Sequence, residues 1–210
     1  MAKSPKPITP KERSDVQLLD ARTLGSNYGR LFKYTLKYLR FDGSWTESID
    51  RDCFDSGPAV IVLPYDPQAD QVVLIKQFRT GPWVAGFNPW IYEVPAGRID
   101  KPGATAQQIA YDEAREEAGL ELTALEPVAS FFTSPGIFSE HLEAFCGRLK
   151  GPVRTGTFGV AAEHEDIKTE ILSAERAIAL AQSGAIVSGP TLVLLLWLAL
   201  NRDRLRAMWR

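Results

Sequence analysis

The chain has 210 residues, 45% of them apolar, and a formal net charge of −2. This size suits one domain, or one domain with a small appendage, and leaves enough apolar residues for a sizeable core. The near-neutral charge argues against a nucleic-acid-binding surface, and two cysteines without a C-x-x-C pair argue against a structural zinc site.

Neither the N-terminal segment nor the apolar stretches predict membrane association. Residues 1–13 are polar, unlike a secretory signal, and the longest apolar run, residues 192–200, is too short to cross a bilayer. We therefore expect a cytoplasmic protein with reduced thiols and no membrane partner.

The first part of the chain is predicted to contain short strands. Residues 1–14 are rich in Lys, Pro and Ser and are expected to form a loose arm. Residues 15–55 are expected to form a small antiparallel β unit, in which strands at 32–41 and 44–49 flank a hairpin turn at Asp42-Gly43.

The remaining residues, 56–210, are predicted to form the main domain. Apolar runs and alternation predict strands at residues 58–65, 71–78, 90–95, 126–133, 141–149 and 167–172. Loops are expected at residues 81–89 and 150–165, and a sharp turn at 95–97.

Three helices are predicted in this domain. The first runs over residues 106–118, with Thr105 as N-cap and Gly119 at its C-terminal end. The second runs from Ser173 to about residue 183, and the third from Pro190 to about residue 206.

The first predicted helix carries three carboxylates at close spacing. Glu113, Glu116 and Glu117 lie at i, i+3 and i+4 and would share one helix face. Like charges at this spacing repel one another, whereas clustered carboxylate oxygens suit Mg²⁺ or Mn²⁺. Taken alone, the pattern is also typical of a solvated helix face.

The residues around these carboxylates resemble the signature of the Nudix hydrolases, G-x5-E-x7-R-E-U-x-E-E-x-G-U, in which U is a bulky aliphatic residue. The matching residues are Gly97, Glu113, Ala114 (small where U is expected), Glu116, Glu117, Gly119 and Leu120. The loop has one residue too many, Ala104 replaces the first Glu, and Asp112 replaces the Arg. Asp112 would repel Glu116 at i, i+4, where the family has an ion pair.

The resemblance extends over about residues 15–205. Over this range the sequence is similar to the ADP-ribose pyrophosphatase and nucleoside-diphosphate-sugar pyrophosphatase branch of the family. The segments that carry it are residues 72–79, 93–97, 134–136, 139–140 and 163–166. It implies an α/β (α+β) Nudix fold: an α/β/α sandwich with a mixed sheet, preceded by the small β unit. It also implies a homodimer in which the unit at residues 15–55 serves dimerisation.

By motif position, the resemblance implies a metal site and a catalytic base. The backbone carbonyl of Ala96, Glu113 and Glu117 would ligate Mg²⁺, with Mn²⁺ as the alternative, and Glu116 would be a shared or supporting ligand. Glu165 resembles the glutamate that orients or deprotonates the attacking water, with Glu163 as the second choice.

Substrate contacts are expected from residues of several segments: Tyr28, Arg79, Glu93, Arg98, Ser134, Gly136 and Glu140. The arginine forks suit phosphate or ribose oxygens, and Glu93 could accept from a sugar hydroxyl. Several of these residues also have a structural alternative: a surface ion pair for Arg79, a solvent-facing side chain for Glu93, packing for Tyr28 and a tight turn for residues 134–136.

The resemblance implies metal-dependent hydrolysis of ADP-ribose to AMP and ribose 5-phosphate. GDP-mannose or another nucleoside diphosphate sugar is the alternative within the same chemistry. An alternative of another class is a catalytically weak Nudix-fold sensor that binds a nucleotide, suggested by Ala104 and Asp112.

Overall fold

A computed structural model describes residues 13–26, 28–160 and 165–209. Their contacts divide them into two compact units. The first comprises the described residues of 1–57 together with 132–141, and the second those of 58–131 and 142–210. The predicted boundary between residues 55 and 56 assigns 132–141 to the main domain, whereas their contacts group them with the N-terminal residues.

The first unit contains an antiparallel sheet of three strands in the order β1-β2-β3. Its strands are β1 (Val16–Ser26), β2 (Arg30–Tyr38) and β3 (Ile49–Asp55).

The turn predicted at Asp42-Gly43 is present, but the return strand predicted at 44–49 is limited to an isolated antiparallel bridge between Leu39 and Trp45, and β3 begins only at Ile49. Gly43 adopts a φ of 82°, and Asp42 Oδ1 accepts from the backbone N–H of Ser44 at 2.8 Å. Arg40 Nη1 donates to Ser44 Oγ and to the backbone oxygen of Trp45. Backbone bonds from the Arg40 N–H to the Ser44 oxygen and from the Thr46 N–H to the Tyr38 oxygen continue the pairing, whereas the Tyr38 N–H donates to Thr46 Oγ1, a side-chain acceptor that interrupts the ladder before β3.

The second unit is built on a mixed eight-stranded sheet in the order β10-β11-β5-β4-β9-β8, with β6 paired to β5 and β7 to β4. Its strands are β4 (Ala59–Asp66), β5 (Gln71–Phe78), β6 (Trp90–Glu93), β7 (Ala96–Arg98), β8 (Leu122–Phe132), β9 (His141–Leu149), β10 (Thr157–Phe158) and β11 (Ile167–Ser173). Its helices are α1 (Thr80–Val84), α2 (Ala106–Ala118), α3 (Ala174–Gln182) and α4 (Gly189–Met208).

Helices cover both faces of this sheet, so the predicted α/β/α sandwich is confirmed. On one face, Val60 and Val73 pack in a cluster with Ile109 of α2. On the other, Leu63 packs in a cluster with Leu194 of α4. Alternate residues of β4 and β5 serve opposite clusters, which explains the continuous apolar runs in the sequence.

Helix α2 begins and ends where its local sequence predicts. Thr105 and Gln108 form a reciprocal capping box, and Gly119 ends the helix in the left-handed conformation with a φ of 63°. These caps determine where the carboxylates of α2 lie along the sheet.

The structure differs from the predicted elements where pairing partners are distant in sequence. The expected loop at 81–89 begins within helix α1, the turn at 95–97 enters strand β7, and the loop at 150–165 contains β10. Strand β7 exists because residues 96–98 pair with residues 59–61 of β4, a register that no local pattern reveals. No helix of the described residues is long and apolar enough to span a membrane.

Candidate active site

The site is centred on Glu117, whose side chain is buried where α2 meets β7. Glu117 is 4% exposed, and its Oε2 accepts a hydrogen bond of 2.9 Å from the backbone N–H of Ala96. The capped helix and the β4–β7 pairing hold the two partners in place. A buried carboxylate needs such a donor, because an unpaired one would be costly to desolvate.

Gly97 provides the space for the second helix carboxylate. A Cβ atom at this position would collide with the Glu113 side chain, so glycine here leaves the space that this carboxylate occupies. The strand therefore presents its backbone to Glu113 and Glu117 together.

The electrostatic setting of Glu117 shows which charges surround it. Burial raises the pKa of Glu117 to about 8, while the Ala96 N–H opposes the shift. The negative charges of Glu113 and Glu165 raise the pKa further, and the positive charge of Arg79 lowers it. Three other predicted site residues, Glu113 of the same helix, Glu165 and Arg79, thus lie within electrostatic reach of Glu117.

Glu116 and Asp112 occupy the more open part of the helix. Glu116 is exposed, unlike Glu117. Asp112, which the sequence predicts to repel Glu116, accepts a hydrogen bond from Arg115 Nη1 at 3.1 Å, and Arg115 also lies 3.7 Å from Glu121. Arg115 therefore offsets the charge of Asp112. As a surface ion pair, the contact contributes little to the free energy of unfolding.

Arg79 and Glu93 form an ion pair at the ends of β5 and β6. Arg79 Nε donates to Glu93 Oε2 at 2.7 Å, and the same oxygen accepts from Gln77 Nε2 at 3.0 Å. The surface ion pair considered for Arg79 is present, but it lies beside the carboxylate site. Sequence reasoning missed Gln77, although it stands two residues before Arg79 and so faces the same side of the strand.

Glu165 lies at the end of the long loop that precedes β11. Its Oε2 accepts from the backbone N–H of Val160 at 2.9 Å, and Gly159 adopts a φ of 108° in the same bend. This bond, also missed from the sequence, holds the carboxylate. Glu163, the second candidate for the base, lies outside the described residues.

Arg98 and the remaining substrate candidates fall into the two units. Arg98 ends β7, opposite Ala59, and is half-buried. Tyr28, Ser134, Gly136 and Glu140 belong to the first unit.

Within that first unit the four candidates have different surroundings. Tyr28 is 73% exposed, and Ser134 and Gly136 are exposed in a turn whose Ser134 oxygen accepts from the N–H of Phe138 at 2.9 Å. Glu140 accepts from Ser56 Oγ at 3.1 Å. Residues 134–136 are thus part of a tight turn, which is the structural role considered for them beside substrate binding.

The donor set fits a magnesium ion that is only partly enclosed by protein. No three His, Cys, Asp or Glu side chains of the described residues form a ready metal cage. Mg²⁺ typically uses one or two carboxylates and takes its other ligands from water and substrate phosphates. Glu113 and Glu117, set against the backbone at Ala96 and Gly97, match that pattern.

Comparisons with known proteins agree with this architecture. Residues 55–190 match the model of the NUDIX domain. The chain is 34% identical to the ADP-ribose pyrophosphatase of Escherichia coli K12 over 94% of both chains, and 31% identical to that of Haemophilus influenzae over 94% of this chain and 92% of the relative. It is 32% identical to the GDP-mannose pyrophosphatase of Cronobacter sakazakii, over 89% of this chain and 96% of the relative.

A solved structure described as an ADP compounds hydrolase has the same fold. It aligns with a TM-score of 0.68 at 18% identity, covering 94% of this chain and 98% of that one.

Proposed function

Because the chain belongs to the NUDIX domain family, we propose that it hydrolyses the pyrophosphate bond of a nucleoside diphosphate sugar. The proposed substrate is ADP-ribose, and the products are AMP and ribose 5-phosphate. The observation that carries the proposal is the convergence of Glu113, Glu117 and Glu165 with Arg79 around one buried carboxylate. The full-length similarity to ADP-ribose pyrophosphatases supports the choice of substrate.

The helix carboxylates have the metal-binding role in this proposal. Glu113, Glu117 and the backbone carbonyl of Ala96 would hold Mg²⁺ or Mn²⁺, with the exposed Glu116 in a supporting role. A divalent ion held there would supply charge neutralisation at the phosphate oxygens and would lower the pKa of the attacking water.

The remaining roles fall to the protein's own side chains. Glu165 would accept the proton of the attacking water, with Glu163 as the alternative base. Arg79 and Arg98 would bind the diphosphate oxygens, because guanidinium forks match that geometry. Glu93 would orient Arg79, to which it is hydrogen-bonded, or accept from a sugar hydroxyl.

The first unit has two further roles in the proposal. It would mediate formation of a homodimer, and Tyr28, Ser134, Gly136 and Glu140 would contribute to the nucleotide-sugar site of the assembled enzyme. The exposed apolar residues of β1, among them Leu18 and Leu19, support an interface there. The free thiols of Cys53 and Cys146 suit a reducing compartment, which supports the cytoplasm as its location.

GDP-mannose is the second candidate substrate. The similarity to GDP-mannose pyrophosphatases over 89% of the chain favours it. Both substrates present the same diphosphate, so the described carboxylates and arginines would serve either one.

The test is a substrate panel with the purified protein and Mg²⁺. ADP-ribose, GDP-mannose, UDP-glucose and a diadenosine polyphosphate are incubated separately, and released phosphomonoester is measured. We expect the highest kcat/KM with ADP-ribose. A preference for GDP-mannose would make that compound the substrate in place of ADP-ribose. Nucleotide binding without turnover of any compound would favour the alternative of a nucleotide-binding sensor.

A further inference from the structure

The end of β5 places three side chains on one face of the sheet. Alternation along an extended strand points Ile75, Gln77 and Arg79 to the same side, and Ile75 belongs to the cluster that packs against α2. Arg79 continues this alternation past the end of β5, because its backbone is extended and its N–H donates to the Pro89 oxygen at 2.8 Å.

Glu93 joins this face from the neighbouring strand. It pairs directly with Ile75 in the β5–β6 register, so Gln77 is its diagonal neighbour on the same side. The result is a row of Gln77, Glu93 and Arg79 on the face that carries α2.

The hydrogen bonds in this row give Gln77 a distinctive position. It is a buried side chain, 6% exposed, and its Nε2 donates to Glu93 Oε2. Arg79 Nε donates to the same oxygen from its exposed side. One carboxylate oxygen is therefore held between a fixed buried amide and a long, otherwise mobile guanidinium group.

Arg79 gains a defined direction from this arrangement. Its pair with Glu93 uses Nε, and within the described residues its two Nη groups make no hydrogen bond with protein atoms. Arg79 is also close enough to Glu117 for its charge to act on that carboxylate. Guanidinium N–H groups of this kind can bind the oxygens of an anionic ligand beside the carboxylates.

We propose that Gln77 is a positioning residue that acts through Glu93 to set the direction of Arg79 toward the substrate diphosphate. The inference rests on the proposed function, in which Arg79 binds phosphate oxygens. Without the Gln77 N–H, the Glu93 carboxylate loses its fixed donor and can rotate, carrying the Arg79 side chain with it. Substrate binding then weakens, while the chemistry at the helix carboxylates is unaffected.

Kinetics of single and double variants test the inference. Gln77→Leu and Gln77→Met keep the size of the side chain and remove the donor. Each is expected to raise KM roughly fivefold, with kcat within about twofold of the wild type. In an Arg79→Ala background, Gln77→Leu should change KM by less than about twofold, because the residue through which Gln77 acts is gone.

A matched control separates positioning from stability. Thr191 is a fully buried polar residue on α4, on the other face of the sheet, and its Oγ1 bonds to Ser188 Oγ at 3.1 Å. Thr191→Val should lower Tm as much as the Gln77 variants do, yet leave KM unchanged. An equal rise of KM in Thr191→Val would overturn the inference, as would additive effects of Gln77→Leu and Arg79→Ala.

A second measurement does not depend on turnover. The Nε–H resonance of Arg79, assigned by its absence in Arg79→Ala, should be visible in the wild-type protein and broadened in Gln77→Leu. An unchanged resonance would refute the positioning role. If the wild type hydrolyses none of the compounds in the substrate panel, the proposed function is rejected. The Arg79 resonance then still decides whether Gln77 orders the Arg79 side chain.

Discussion

The buried carboxylate of Glu117 accepts a 2.9 Å hydrogen bond from the backbone N–H of Ala96, and this contact joins helix α2 to strand β7. The two residues are 21 positions apart, so the contact spans the whole strand–loop–helix segment. It brings helix carboxylates to a strand backbone, which is the arrangement that the proposed metal site requires.

Replacing Glu117 with Gln should separate catalysis from folding. The amide has the same size and can still accept the Ala96 N–H, so the free energy of unfolding should change by no more than about 1 kcal/mol. Loss of the anionic ligand should reduce kcat by about two to three orders of magnitude. Steady-state kinetics and urea unfolding measure both quantities, and a fully active variant would refute the metal assignment.

Removal of divalent metal should abolish turnover. EDTA is expected to stop phosphomonoester release, and added Mg²⁺ or Mn²⁺ should restore it. Since binding to the folded state raises stability, Mg²⁺ should also raise the Tm of the wild type but not of Glu117→Gln. Equal metal-induced shifts in both proteins would place the metal elsewhere.

Gly97→Ala should damage the site through Glu113. The new Cβ would collide with that carboxylate, so Glu113 must move, and we expect about a tenfold or greater loss of kcat with roughly 1–3 kcal/mol of destabilisation. Gly151→Ala is the matched control, because a Cβ there meets no described atom within 4 Å. Activity in Gly97→Ala equal to that of Gly151→Ala would show that the close approach has no functional consequence.

Introducing the family arginine, Asp112→Arg, should have little effect. Arg115 already pairs with Asp112 at the surface, and an exposed i, i+4 pair with Glu116 is worth only a few tenths of a kcal/mol. We expect kcat to rise by no more than about threefold. An increase of tenfold or more would mean that Glu116 needs this arginine for catalysis.

The free energy of unfolding at acid pH should depend on Asp70, a residue distant in sequence from the carboxylates of α2. Arg202 hydrogen-bonds to Asp70 and holds the pKa of that carboxyl below its usual value near 3.8; Tyr65 adds a further bond of 2.9 Å. Its contribution to the free energy of unfolding is therefore present above about pH 4 and lost as the pH falls through the lower folded-state pKa.

Asp70→Asn tests this dependence. Asn tolerates the left-handed φ of 57° found at residue 70, so the substitution removes the charge without backbone strain. The variant should be less stable than the wild type at pH 7 by about 1–3 kcal/mol, and the difference should shrink as the pH falls below about 4 and through the lowered folded-state pKa of Asp70. Urea unfolding at several pH values measures it, and the exposed Asp203→Asn serves as the control. A difference that persists unchanged at acid pH would contradict the ion-pair explanation.

The predicted Nudix family and the predicted fold are confirmed, and the reasons lie in local signals. Thr105 and Gly119 mark the ends of α2 by capping chemistry, and the apolar run from residue 59 to 65 marks a strand buried on both faces. Such signals act over a few residues, so a single sequence carries them in full.

The amino-acid sequence by itself identified the residues that we propose for the chemistry: the carboxylates of α2, Arg79 and the late Glu165. Only the tertiary structure decided that Glu117 is buried while Glu116 is exposed, that Arg115 offsets Asp112, and that Gln77 shares an oxygen of Glu93 with Arg79. The physical reason is that residue type and local spacing determine helices and ligand chemistry. Burial, pKa and hydrogen-bond partners depend instead on strands and loops that meet only when β7 pairs with β4 and α2 packs against the sheet.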